Sequence, residues 1–163
     1  MTSTQLPSSE KSGESNHQSN EYLYETDFVE WIDKTAELLK QGKFSELDIE
    51  SLIEEVESLG RNEKNALRSN LRVLLMHLLK WQYQPSKRSG SWRGTIIEHR
   101  IRIQETLEDS PSLKNFYPQV FDRVYQQARK RAAEETGISL ESFPMECLYT
   151  SEQVIDVEFL PEG

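Results

Sequence analysis

The run from Leu71 to Ile97 constrains this chain more than any other stretch. Leu67, Leu71, Leu74, Leu75, Leu78 and Leu79 recur three and four residues apart, the period of a helix rather than a strand. With Val73 and Met76 of the same run they make the rod apolar over more than half its circumference. A helix apolar that far round is touched on several sides, so it belongs at the centre of its fold. Asn62 is a fair N-cap, and the spacing predicts a helix from there to about Trp81. Gln82 to Gly90 reads as a basic turn, broken by Pro85 and Gly90. Ser91 is predicted to cap the next helix, which runs to about Asp109 and buries Ile96, Ile97, Ile101, Ile103 and Leu107.

The flanking segments read as companions to that rod. Thr26 or Asp27 can cap a helix ending at Lys40, with Gly42 just beyond it. Phe28, Trp31, Ile32, Thr35, Leu38 and Leu39 fall near one face of it. Ser45 or Asp48 is predicted to start a second helix ending at Gly60, with Ile49, Leu52, Ile53, Val56 and Leu59 as its buried stripe and glutamates around the rest. Pro111 suits the first turn of a helix, and a long helical pattern follows to Thr136, closed by Gly137. Pro118 lies inside this pattern and removes a backbone donor, which predicts a break or kink near Tyr117. Phe116, Val120, Phe121, Val124, Tyr125, Ala128, Ala132 and Ala133 make its packing face. No segment alternates with period two. The expectation is an all-α, single-domain bundle of about five helices over residues 21–137. Residues 138–163 should form an extended C-terminal strap on the bundle, with a short helical turn after Thr150, where Thr150 and Gln153 have capping-box spacing. Residues 1–20, polar and almost without apolar side chains, read as a disordered tail.

Charge and cysteine usage narrow the function classes. With 28 acidic and 19 basic residues the net charge is −9. A field of that sign repels nucleic acid and acidic membranes, which argues against a general nucleic-acid coat but leaves room for a local basic site. Cys147 is the only cysteine, so no internal disulfide can form. No run approaches the ~18 apolar residues of a membrane span, and no secretory leader is read at the N-terminus. The expected compartment is the cytoplasm. No Gly-rich phosphate loop, zinc spacing or hydrolase elbow is present, so no cofactor, metal ligand or catalytic residue is assigned.

The charges are segregated. Residues 21–60 hold 12 acidic and 3 basic residues, and residues 61–102 hold 10 basic and 2 acidic. One reading is internal compensation, acidic helices lying beside basic ones. The other is an anion- or partner-binding site on the basic turn, formed by His77, Lys80, Trp81, Lys87, Arg88, Trp92 and Arg93. A helix N-terminus at Ser91 would add backbone donors to it, and the aromatic rings could stack on a base. The same residues could equally seal the end of a core, with lysine and arginine stems over the indoles. Arg72 and His77 have the spacing of a short signature found in the nucleotide-binding helical ribonucleases of higher eukaryotes and prokaryotes. Arginine fills 7 of the 42 positions from 61 to 102, so a chance match is expected. A five-residue step also sets the two side chains ~140° apart on one helix. The glutamates at 50, 54, 55 and 57 lack the Glu-x-x-His partner of a bundle metal site and read as a solvated face. Cys147 reads as a small packing residue.

Five landmarks carry a family resemblance: Leu52-Ile-Glu-Glu-Val-Glu-Ser-Leu-Gly60, His77-Leu-Leu-Lys-Trp81, Ser91-Trp-Arg93, Ser110-Pro-Ser-Leu113 and Phe143-Pro-Met-Glu-Cys147. From Tyr24 onward the chain resembles the domain of unknown function 29 family. Leu148 stands where that pattern has proline. The resemblance implies a helical bacterial protein and supplies no activity or catalytic residues. The reading reached is a non-catalytic interaction or regulatory bundle with an unidentified protein partner. Its alternative is a nucleic-acid-binding or RNA-cleaving bundle using the basic turn and His77.

Overall fold

Helices account for nearly all the ordered secondary structure in the computed structural model, which describes residues 20–162. The tail expected over residues 1–20 lies almost wholly outside the described residues. Among the described residues there are six α-helices and no strand. They are α1 (20–26), α2 (Phe28–Lys40), α3 (Ile49–Tyr83), α4 (Gly90–Asp109), α5 (Leu113–Thr136) and α6 (Ser151–Ile155). Short 3-10 turns stand at Phe44–Glu46, Pro85–Lys87 and Leu140–Ser142. The chain forms two compact units, one up to Gly60 and one from Arg61 onward.

The first unit holds α1, α2 and the opening turns of α3. Asp27 caps α2, accepting from the Glu30 N–H at 3.1 Å, and Gly42 turns the chain after it at φ +70°, where a side chain would be strained. Asp48 caps α3, accepting from the Ser51 N–H at 3.2 Å. Trp31, Leu38 and Leu47 are buried, and Tyr24, Phe28 and Trp31 form an aromatic cluster.

Two helices were predicted where the single α3 runs, one ending at Gly60 and the next starting at Asn62. Gly60 costs about 1 kcal/mol against alanine in a helix interior. Ending one helix and starting another would leave several N–H and C=O groups at each terminus to be satisfied otherwise. Neither Gly60 nor Asn62 removes a backbone donor, and Glu63, Lys64, Ala66 and Leu67 are good helix formers, so continuation is favoured.

The second unit is built on the remainder of α3. Leu67, Leu71, Leu74, Leu75 and Leu78 have no exposed surface and Leu79 almost none. Ile96, Ile103 and Leu107 of α4 and Tyr117, Val120, Phe121, Val124, Tyr125, Ala128 and Ala132 of α5 join them in one core cluster, as do Phe143, Tyr149 and Val154. α4 turns a different stripe inward from the one predicted. Ile97 and Ile101 are exposed, and the buried positions are Ile96, Arg100, Ile103 and Leu107. These are spaced four, three and four residues apart, a regular helical stripe that an arginine hides from a hydropathy reading.

Pro118 does not break α5. It is exposed and lies in the second turn, so the Lys114 carbonyl it leaves without a helical donor can be hydrated, and only one ladder bond is lost. The first turn is tightened by short-range bonds, including Leu113 N–H to Ser110 O at 2.9 Å. Gly137 ends α5 in the left-handed region at φ +71°.

The segment after Gly137 is mostly irregular, and its carbonyls are met by side chains of α4 and α5. Arg100, fully buried, donates to Val154 O at 2.8 Å and Phe159 O at 2.7 Å. Arg129 donates to Phe143 O at 3.0 Å and Leu140 O at 2.9 Å. Tyr117 donates to Ser151 O and Tyr125 to Pro144 O, and Gln104 to Ile155 O. Buried backbone polar groups must be paired, and here the bundle supplies the donors that a sheet would otherwise give. The capping box at Thr150 and Gln153 is formed in both directions.

Leu75→Ala should cost about 2–5 kcal/mol in urea unfolding, the range for a fully buried leucine; a loss below about 1 kcal/mol would show that α3 is not central. Arg100→Met keeps the apolar stem and leaves the Val154 and Phe159 carbonyls, with Val157 O at 3.5 Å, short of a donor. It should make residues 140–162 more readily cut in limited proteolysis than in the parent, and a cleavage pattern identical to the parent's would count against the clamp.

Candidate functional site

The α3–α4 turn begins where Gln84 leaves the helix and passes through the 3-10 turn Pro85–Lys87. Ser89, not Ser91, caps α4: it is extended, and its hydroxyl accepts from the Trp92 N–H at 3.2 Å. Gly90, expected as a breaker, is the first helical residue. It has no positive φ and so uses none of glycine's extra freedom.

The turn's basic side chains lie against its own aromatics. Lys80 is 2.8 Å from the Glu135 carboxylate, and its ammonium sits 4.8 Å from the Trp92 ring centroid. That hydrogen bond holds the Glu135 carboxyl below the usual range. Arg88 lies 5.1 Å from the Trp81 ring centroid and donates through Nε to Trp81 O at 2.9 Å. Arginine-on-indole contacts are worth about 0.5–2 kcal/mol, more when dry. Lys87 and Arg93 are exposed, and among the described residues neither side chain makes a hydrogen bond or ion pair. The seven expected residues thus divide. Lys80, Trp81, Arg88 and Trp92 are engaged in internal stacking, His77 is tied to its own helix, and Lys87 and Arg93 face solvent.

His77 is half-buried, with Nδ1 2.9 Å from Val73 O. A carbonyl only accepts, so Nδ1 carries the proton and Nε2 the lone pair. Burial lowers its pKa from the ordinary imidazole value, as it does for His99, whose Nδ1 lies 2.8 Å from Asn70 Oδ1. Arg72 is engaged elsewhere, 3.5 Å from Gln127 Oε1. Among the described residues no three His, Cys, Asp or Glu side chains converge as a metal site. No helix there is long and apolar enough to cross a membrane. Cys147 is half-buried and burial pushes its thiol up to about 11, which keeps it protonated and unreactive at neutral pH.

A second feature lies in the first unit, where the sequence reading expected core. The stripe Ile49, Ile53, Val56 and Leu59 of α3 is exposed, Val56 at 61% and Leu59 at 66%. Phe28, Ile32 and Leu39 of α2 are also partly exposed. Between the helices runs an open apolar groove of about 380 Å³, walled by Phe28, Ile32 and Leu39 on one side and Leu52, Val56 and Leu59 on the other. Glu55 enters it as the one carboxylate and accepts from the Tyr24 hydroxyl at 2.7 Å, which raises the tyrosine to about 12. Nothing in the sequence marked this exposure. At 100° per residue the five apolar positions span about 120°, the width of an ordinary buried stripe.

The model of the family described as Domain of unknown function DUF29 matches residues 23–160, so the chain belongs to that family. No curated protein and no solved structure is significantly similar to it.

Because His77 is held neutral, the unfolded chain takes up a proton that the folded one resists. Stability should therefore fall as pH drops below the ordinary imidazole value of about 6.5 and return as pH rises. His77→Gln should flatten that slope in urea titrations across the window; an unchanged slope would assign the acid sensitivity to other groups. Arg88→Ala should lower the unfolding free energy by about 1–3 kcal/mol, and Arg93→Ala should stay within about 0.5 kcal/mol of the parent.

Proposed function

We propose that this member of the DUF29 family is a protein-docking module whose α2–α3 groove takes up a basic amphipathic helix from another protein. The observation that carries the reading is the groove itself: contiguous apolar side chains left in water on two adjacent helices. Patches of this kind on soluble proteins mark interaction surfaces, and a groove between two helices suits a third helix that presents apolar residues at i, i+3, i+4 and i+7.

Charge selects the occupant. Residues 21–60 carry 12 acidic and 3 basic side chains. Glu55 lines the groove itself, Glu50 and Glu57 stand three residues before and four after Ile53 along one edge of the exposed stripe on α3, and Asp33 follows the exposed Val29 by four on α2. An apolar floor with an acidic border complements a helix with leucines on one face and lysines or arginines beside them. A second copy of this chain would bring an equally acidic border against the first, which argues against self-association through this face. Unlike the basic turn, the groove has, among the described residues, no internal partner that covers its apolar side chains.

A labelled peptide of leucines and lysines, about five helical turns long, provides the test by fluorescence anisotropy. It should bind at least about tenfold tighter than a shuffled isomer of equal charge and no apolar face, a difference of about 1.4 kcal/mol. Ile32→Glu with Val56→Glu should abolish the preference, with unfolding unaffected because both residues are exposed. Equal binding of the shuffled peptide would defeat the reading. So would a dimer in sedimentation equilibrium that Val56→Glu dissociates.

A further inference from the structure

A cleft between α3 and α5 in the second unit collects three arginines and no acid. Arg68 and Arg72 of α3 and Arg123 of α5 line a space of about 410 Å³, together with Asn65, Ser69 and Gln127. In a chain with 28 acidic residues against 19 basic ones, a concave site with three guanidiniums and no carboxylate in its wall runs against composition. Among the described residues, none of the three makes an ion pair. Lys64, Arg68 and Arg72 follow one another at four-residue steps, so like charges are stacked along one face of α3, an arrangement that destabilises a helix without counter-charge. Arg68 and Lys64 both rest over the Phe116 ring, at 5.0 and 5.4 Å from its centroid.

The arginines have donors to spare. Arg72 makes one long contact, 3.5 Å to Gln127 Oε1, and its Nε is buried with no acceptor. Arg68 reaches Asn65 Oδ1 at 2.8 Å with a single nitrogen, leaving most of its five N–H groups. Arginine cannot relieve crowding by losing its proton, so the charges are best balanced by an anion. A planar carboxylate pairs with one guanidinium fork. Guanidiniums brought in from two helices suit a tetrahedral group whose oxygens diverge. The volume exceeds that of one such group and falls in the range of small-molecule sites.

We propose that this cleft binds a doubly charged phosphate group carried by a small molecule, a phosphate monoester or a pyrophosphate, with Arg68, Arg72 and Arg123 as its ligands. The site shares no residue with the α2–α3 groove, and neither proposal depends on the other.

Isothermal titration of the full chain with inorganic pyrophosphate and with phenyl phosphate distinguishes the two sources. At least one should bind and raise the melting temperature. Binding should weaken below about pH 6, where a monoester becomes singly charged. Arg72→Gln and Arg123→Gln should each lower affinity about tenfold or more while leaving the ligand-free melting temperature unchanged or higher, since a repelling charge is removed. Arg123 is exposed, so its variant reports binding even if Arg72→Gln loosens the fold. No binding of either compound at millimolar concentration would overturn the proposal, as would affinity unmoved by Arg123→Gln. A single-stranded oligonucleotide without terminal phosphates should bind no better than phenyl phosphate; if it alone bound, the cleft would be a nucleic-acid surface and the proposal wrong.

Discussion

The leucine ridge of α3 is the constraint on which the second unit rests. Six leucines between Leu67 and Leu79 are withdrawn from water almost completely. At roughly 1.5–3 kcal/mol for each fully buried aliphatic side chain, they are a leading driving force for folding that unit. Burying the ridge on several sides requires several companions, and α4, α5 and the C-terminal segment each contribute side chains to its cluster. The last of these cannot supply regular backbone pairing. It can lie on the core only because Arg100, Arg129, Tyr117, Tyr125 and Gln104 donate to its carbonyls. The apolar ridge and the polar clamps are thus two parts of one solution, since the first attracts the strap and the second removes the cost of desolvating it.

The same logic separates side chains that hold the fold from those free to act. Lys80 and Arg88 belong to the first group: their charges lie over indoles, and one hydrogen-bonds a carboxylate and the other a backbone carbonyl. Arg68, Arg72 and Arg123 keep unused donors in a concave wall, and the apolar residues of α2 and early α3 keep unused surface. Basic charge alone does not mark a site. What matters is whether the local geometry already supplies a partner, and in this chain the cleft that gathers three arginines without a carboxylate lies outside the basic turn.

Helical periodicity determined much of the fold from sequence alone. The central position of α3, a cap at Thr26 or Asp27 and another at Ser45 or Asp48, the closure at Gly137 and the capping box at Thr150 all follow from short-range chemistry written in neighbouring residues, and family membership follows from the landmark motifs. Tertiary structure decided the rest. Whether Gly60 ends a helix depends on the relative cost of continuing, and whether Arg100 is a core residue depends on carbonyls more than fifty positions away. The stripe of α3 before Gly60 has the same pattern as a buried one, yet it is exposed because no further element among the described residues of its unit covers it. Periodicity states which face is apolar; only the packed chain states whether anything arrives to cover that face, because burial is a property of pairs of surfaces and not of one.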